Sequence, residues 1–131
     1  MANHNRNYRD LHEHLDALRA RGLLVEINEP IDKDAELHPL VRWQFVGGLD
    51  EPERKAFLFS NIIDGRGRKY SIPVVVGALA ANRAIYSVGM GAALDEIQGK
   101  WDYAIANPVA PRIVDKAVCQ EVVIEGAALQ G

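Results

Sequence analysis

Leucines at positions 11, 15 and 18, set among polar and charged residues, repeat at i, i+4 and i+7 and predict an amphipathic helix. Asp10 precedes that stripe, with Glu13 three residues later in the spacing of a reciprocal capping box, and Gly22 ends the helix. Leu23 to Ile27 predicts a first strand, closed at Asn28-Glu29-Pro30 because proline has no N–H to give to a ladder. A second helix is predicted over about His38 to Val46, with Pro39 in its first turn, where a missing donor costs nothing, and Gly47-Gly48 behind it. Leu40, Val41, Trp43 and Phe45 give this helix more than one apolar face, which predicts that it is well buried.

The charged, proline-broken run 49–55, LDEPERK, reads as an exposed loop, and Ala56 to Ser60 as the second strand. A turn over Asp64 to Lys69 leads into a strand over Ser71 to Gly77, whose Val74-Val75-Val76 run suits burial on both faces; these two strands are predicted neighbours. Asn82 is placed to cap a short helix through Ser87. After Gly89 and Gly91 a longer helix is predicted from about Ala92 to Asn107, stopped by Pro108, with Leu94, Ile97, Trp101 and Ile105 on one face. Gly99 inside it costs about 1 kcal/mol relative to alanine. Val118 to Glu125 predicts a last strand.

The elements add up to an α/β fold, a small mixed sheet of about four strands covered by about four helices. Residues 1–125 read as one domain and 126–131, GAALQG, as the start of a linker. The predicted core holds Leu15, Leu18, Val25, Phe57, Phe59, Val75 and Trp101.

Length agrees with one domain: 131 residues suffice for a single core. Fifteen basic against 18 acidic side chains give a net charge of -3, which leaves no electrostatic footprint for nucleic acid or an acidic membrane. Cys119 is the one cysteine, so an internal disulfide and a thiolate metal cluster are excluded, and a reducing, cytoplasmic setting is expected. The first ten residues, MANHNRNYRD, lack an apolar signal region, and no window approaches the roughly 18 apolar residues of a membrane span.

Candidate chemistry is sparse. His12 and His14 lie about 200° apart around a helix and do not share a metal; both read as solvent-exposed structural residues. His38 reads as a helix-start residue, and His4 falls in the terminal segment. Val88-Gly89-Met90-Gly91 ahead of a helix has the outline of a phosphate-cradling turn. The dinucleotide fingerprint is incomplete, with Leu at position 94 and a helix where a strand is needed, so a helix-to-helix connection is preferred and weak phosphate or nucleotide binding is the alternative. Asp95 and Glu96 belong in a helix first turn, and Asp50, Glu51 and Glu53 in a solvated loop. Ser60, Ser71 and Ser87 have no elbow or sequence-adjacent histidine, and Arg66, Arg68 and Lys69 form a turn without interleaved aromatics. Cys119 reads as a small core residue. No catalytic, cofactor-binding or metal-ligating residue is nominated.

The segments YRDLHEHLDALRARGLLVEINEPID, KAFLFSNI, IPVVVGALAANRAIYSVGMG and CQEVVIEG, in that order, resemble the N-terminal domain of the UbiD family of decarboxylases. The resemblance spans nearly the whole chain from Tyr8. It implies reversible non-oxidative decarboxylation of an aromatic or α,β-unsaturated carboxylic acid, with prenylated flavin mononucleotide, a divalent metal (manganese or magnesium) and potassium. In that family the arginine–glutamate catalytic set and the metal ligands belong to a later, split-barrel-like domain, so none maps onto this sequence. The resemblance therefore implies a scaffold, inactive alone, partnered with a downstream catalytic domain of the same or a separate chain in a homo-oligomeric parent. The charged stretch Leu49 to Lys55 and the GRGRKYS connection depart from the family's pattern and leave the substrate acid open. The alternatives are a small accessory subunit acting in trans and an independent phosphate-binding domain built on Val88 to Gly91.

Overall fold

The computed structural model describes residues 8–130. Its first helix, α1 (Leu11–Ala20), starts where Asp10 Oδ1 accepts from the Glu13 amide at 3.0 Å. The return half of the capping box goes elsewhere: the Glu13 carboxylate takes the Arg9 amide at 2.6 Å and pairs with the Arg9 guanidinium. At the other end Gly22, at φ 65°, lets the Gly22 amide reach Arg19 O at 3.0 Å and the Leu23 amide reach Leu18 O at 2.9 Å. These two bonds satisfy the last carbonyls of the helix and aim the chain into the sheet.

Six short strands form two three-stranded mixed sheets. In the first, β1 (Leu24–Ile27) pairs in parallel with β3 (Ala56–Phe59), which pairs antiparallel with β6 (Val74–Val76). In the second, β2 (Ile31–Asp32) pairs in parallel with β4 (Ile62–Ile63), and β4 runs antiparallel to β5 (Lys69–Tyr70). Pro30 interrupts one strand and Ser60-Asn61 its neighbour, yet the ladder bridges the break: the Ser60 amide reaches Ile27 O at 3.1 Å and the Ile31 amide reaches Asn61 O at 3.0 Å. A strand lost its donor at proline and both partners bent there together. The α/β class with mixed pairing holds; three of the four predicted strands form, and β2, β4 and β5 join them because the pattern gave no sign of pieces two residues long.

Side chains alternate across the first sheet into two cores. Leu15, Leu18, Leu23, Ala56, Ala78, Ala81 and Ile85 fill one, beneath α1 and the helix α3 (Arg83–Met90). Ile31, Leu37, Val41, Phe59 and Ile62 fill the other, under α2 (Leu37–Val46). Phe57 stacks on Phe59 along this second face with ring centroids 5.9 Å apart. Leu15, Leu18 and Phe59 are buried as predicted, whereas Phe57 and Val75 are half-buried and Val25 is 38% exposed. For Val25 and Val75 the reason is topological: β1 and β6 are the edges of a three-stranded sheet, so the Val74–Val76 run touches both cores without being enclosed by either.

The second helix departs from its predicted burial. Leu37, Val41 and Gln44 form the stripe that meets the sheet, while Leu40, Trp43, Phe45 and Val46 are exposed. The buried Gln44 amide is fully used, its Oε1 accepting from the Lys55 amide at 2.8 Å and its Nε2 donating to Lys55 O at 3.1 Å, which fixes the entry into β3.

Asn82 caps α3 as predicted, its Oδ1 accepting from the Ile85 amide at 2.7 Å. That helix runs past Ser87 to Met90 and ends on Gly91, left-handed at φ 58°. The next helix, α4 (Ile97–Ala106), starts later than Ala92 because 92–96 forms its own turn, in which the Glu96 carboxylate accepts from the Ala93 amide at 3.1 Å. Contrary to the predicted core, no residue of α4 is buried and Trp101 is 48% exposed, its indole N–H donating to the Tyr86 hydroxyl at 3.3 Å. The strand predicted over Val118 to Glu125 is absent: the segment holds a short 3-10 turn, Val118–Gln120, and its side chains are exposed, Cys119 included. A strand exists only when an edge pairs with it, and neither free edge of the first sheet takes this one. Among the described residues no helix is long and apolar enough to cross a membrane.

Candidate functional site

The histidine pair separates as helical spacing requires, but only His12 stays at the surface. His14 is 1% exposed and lies against α3 and the turn before it, its Nε2 2.6 Å from Ala78 O. With a carbonyl as the partner, Nε2 carries the proton, and Nδ1 is left buried without a hydrogen bond. Tyr8 covers the imidazole at a centroid distance of 4.7 Å. The expectation of a solvated His14 fails because α1 is covered on two sides, by the sheet and by α3. His38 sits exposed in the first turn of α2, and His4 lies outside the described residues. No group of three His, Cys, Asp or Glu side chains able to hold a metal occurs among the described residues.

Val88 to Gly91 is the last turn of α3, not the approach to a helix. Carbonyls rather than amides end the helix there, Val88 O accepting from the Gly91 amide and Met90 O from Lys100 Nζ, and the helix dipole presents its negative end, which disfavours an anion. The adjoining cleft, about 360 Å³, is bordered by Arg21 but also by Glu96.

The most tightly organised polar group is Asp64, buried in the turn between β4 and β5. Its Oδ1 accepts from the amides of Arg66 (3.0 Å) and Arg68 (2.9 Å), and its Oδ2 from Arg68 Nε (3.1 Å) and the Tyr70 hydroxyl (3.0 Å). The Arg68 amide first, then the Tyr70 hydroxyl, the Arg66 amide and the Arg68 side chain, outweigh desolvation and hold the carboxyl down at about 2. A carboxylate so fully committed shapes a hairpin and has no free lone pair for proton transfer. Arg68 of the predicted basic turn is thereby spent on structure.

Ser60, Ser87, Glu51 and Glu53 are also engaged in local structure. Ser60 Oγ bonds Asn28 Oδ1 at 2.6 Å and Ser87 Oγ bonds Ala92 O at 2.5 Å. Glu53 accepts from the Asp50 amide at 3.1 Å, and Glu51 accepts from the Arg83 amide. Among the described residues neither Ser60 nor Ser87 bonds a histidine or a carboxylate. The molecule offers instead an apolar hollow of about 470 Å³ between α1, α2 and the 77–81 turn, walled by Leu11, Phe45, Val75 and Leu79, the last 69% exposed. The sequence signal for this hollow lies in Leu79 and in the second apolar face of α2, whose pattern predicts burial.

Two helix-covered mixed sheets with committed polar groups and an open apolar flank define a scaffold domain. The family model of the 3-octaprenyl-4-hydroxybenzoate carboxy-lyase N-terminal domain matches residues 15–101, and the chain belongs to this UbiD N-terminal family. The match runs from the middle of α1 into α4 and contains both sheets. No solved structure matches the chain.

Proposed function

We propose that this chain is the N-terminal scaffold of a UbiD-type decarboxylase acting reversibly and without oxidation on an aromatic or α,β-unsaturated carboxylic acid. The catalytic domain lies in the same or a separate polypeptide, and the assembled enzyme is a cytoplasmic homo-oligomer using prenylated flavin mononucleotide with a divalent metal and potassium. The described residues of this chain do not fit that cofactor: its glycine pair lies at the carbonyl end of a helix, and its acidic and imidazole groups do not converge. The chain's contribution is therefore mechanical.

The observation that carries this reading is the contrast between committed polar groups and the uncovered apolar flank of Leu11, Phe45 and Leu79, a surface suited to a catalytic domain. Family membership supports a decarboxylase as the parent activity. Leu79→Asp places a charge on that flank without touching either core. In the assembled enzyme it is expected to abolish docking and decarboxylation, while the chain alone keeps its melting temperature. Full activity of the Leu79→Asp enzyme would contradict the reading.

A further inference from the structure

Helix α2 meets the sheet through Leu37, Val41 and Gln44, and helical spacing sets Pro39, Arg42, Trp43 and Val46 on its opposite side, where all four are exposed. Trp43 is 67% exposed. Its indole is nevertheless held in one pose: it lies across Gly47, where a Cβ would come 2.8 Å from Trp43 Nε1 and 2.9 Å from Cε2. Gly47 has an ordinary φ of -88°, so the turn itself does not call for glycine. Room for the indole, and for the Trp43 carbonyl 2.6 Å from the same Cβ, does. Arg42 enters no ion pair among the described residues. The positions one turn away on α2, His38, Pro39, Phe45 and Val46, carry no carboxylate. The N-cap residue Glu36 is occupied elsewhere, its carboxylate accepting from the Asp32 amide at 2.9 Å.

We propose that this outer face of α2 docks an amphipathic helix of a partner protein, one that sets a carboxylate among apolar side chains. Tryptophan and arginine are enriched among the residues that carry interface energy, and an indole already fixed over Gly47 loses little freedom on binding. Pro39 and Val46 extend the apolar ground at the i, i+3, i+4, i+7 spacing along which one helix packs on another. The guanidinium of Arg42 selects the charge of the partner, because a carboxylate meets its planar fork and an ammonium is repelled. The same charge disfavours a second copy of this chain, since a two-fold axis through the face turns Arg42 toward Arg42. None of the four residues lines the apolar hollow of Leu11, Phe45 and Leu79, so a partner here leaves that flank free.

The test uses the 131-residue chain carrying Trp101→Phe, which leaves Trp43 as its one indole. It is titrated with model helices of about 18 residues, each a leucine stripe on an alanine–glutamine background, that differ only in a central Glu, Gln or Lys. The Glu helix is expected to shift the Trp43 emission to the blue and to saturate with a Kd on the order of 100 μM or lower. The Gln helix binds about tenfold more weakly, and the Lys helix more weakly still. Arg42→Glu, an exposed substitution, keeps the melting temperature and reverses the order, Lys above Glu. Trp43→Ala abolishes binding of a labelled Glu helix followed by anisotropy, whereas Leu79→Asp leaves it unchanged and so separates this face from the apolar flank. No saturable shift, equal affinity for the Glu and Lys helices, an order that Arg42→Glu fails to reverse, or loss of binding in Leu79→Asp would overturn the proposal. A Trp43-dependent dimer of the chain on gel filtration would assign the face to a second copy and overturn it as well.

Discussion

His14 Nε2 lies 2.6 Å from the Ala78 carbonyl, across 64 residues of sequence, and this contact ties α1 to the turn that launches α3. Gly89 faces the same ring: a Cβ there would come 3.7 Å from His14 Cε1. The bond gives a buried carbonyl its donor where no backbone ladder reaches it.

Replacing His14 by Ala removes that donor and leaves space among α1, α3 and Tyr8. An unpaired buried carbonyl together with a cavity is expected to cost about 2–4 kcal/mol in urea unfolding. A loss below about 0.5 kcal/mol would mean that water or a neighbour replaces the imidazole without penalty.

Two large side chains that the hydrophobic pattern ranks alike should behave differently. Leu18→Ala, in the centre of the first core, is expected to lower stability by about 2–5 kcal/mol. Trp101→Ala, on the open face of α4, should change it by less than about 1 kcal/mol in the isolated chain. Equal losses in thermal or urea melts would place Trp101 back in a core.

The Asp64 carboxyl carries a pH signature. Its folded value is depressed from 3.8 to about 2, so the folded state favours the ionised form. This contribution is complete above about pH 4 and is lost as the pH falls toward 2. Asp64→Asn should flatten the pH dependence of the urea midpoint between pH 4 and 2 relative to the parent chain. Parallel pH profiles would show that the four hydrogen bonds do not favour the charged form.

The helix ends and the buried stripe of α1 were legible because their signals are local. Asp10, Gly22 and Asn82 act within one turn of their helices, and the Leu15 and Leu18 stripe fixes which face of α1 is buried. What the sequence left hidden depends on partners distant along the chain. The exposure of Val25 follows from β1 being an edge, and the exposure of Trp101 from α4 finding no cover. The burial of His14 depends on Ala78, and that of Gln44 on Lys55. Val118 to Glu125 has strand-forming residues and no edge to join, so propensity alone predicted what pairing did not deliver. For the candidate site, the order of segments revealed the family, whereas the hollow walled by Leu11, Phe45 and Leu79 draws on separated elements that no motif links.

The central claim is that this chain supports decarboxylation without performing it. Its most direct test is to mix the isolated chain with prenylated flavin mononucleotide, manganese, potassium and a panel of cinnamic, hydroxybenzoic and heteroaromatic acids, and to follow carbon dioxide release and proton exchange at the former carboxyl carbon. The account predicts no turnover above a heat-denatured control and no retention of the flavin on gel filtration. Turnover above that control, or flavin that co-elutes with the chain, would contradict it.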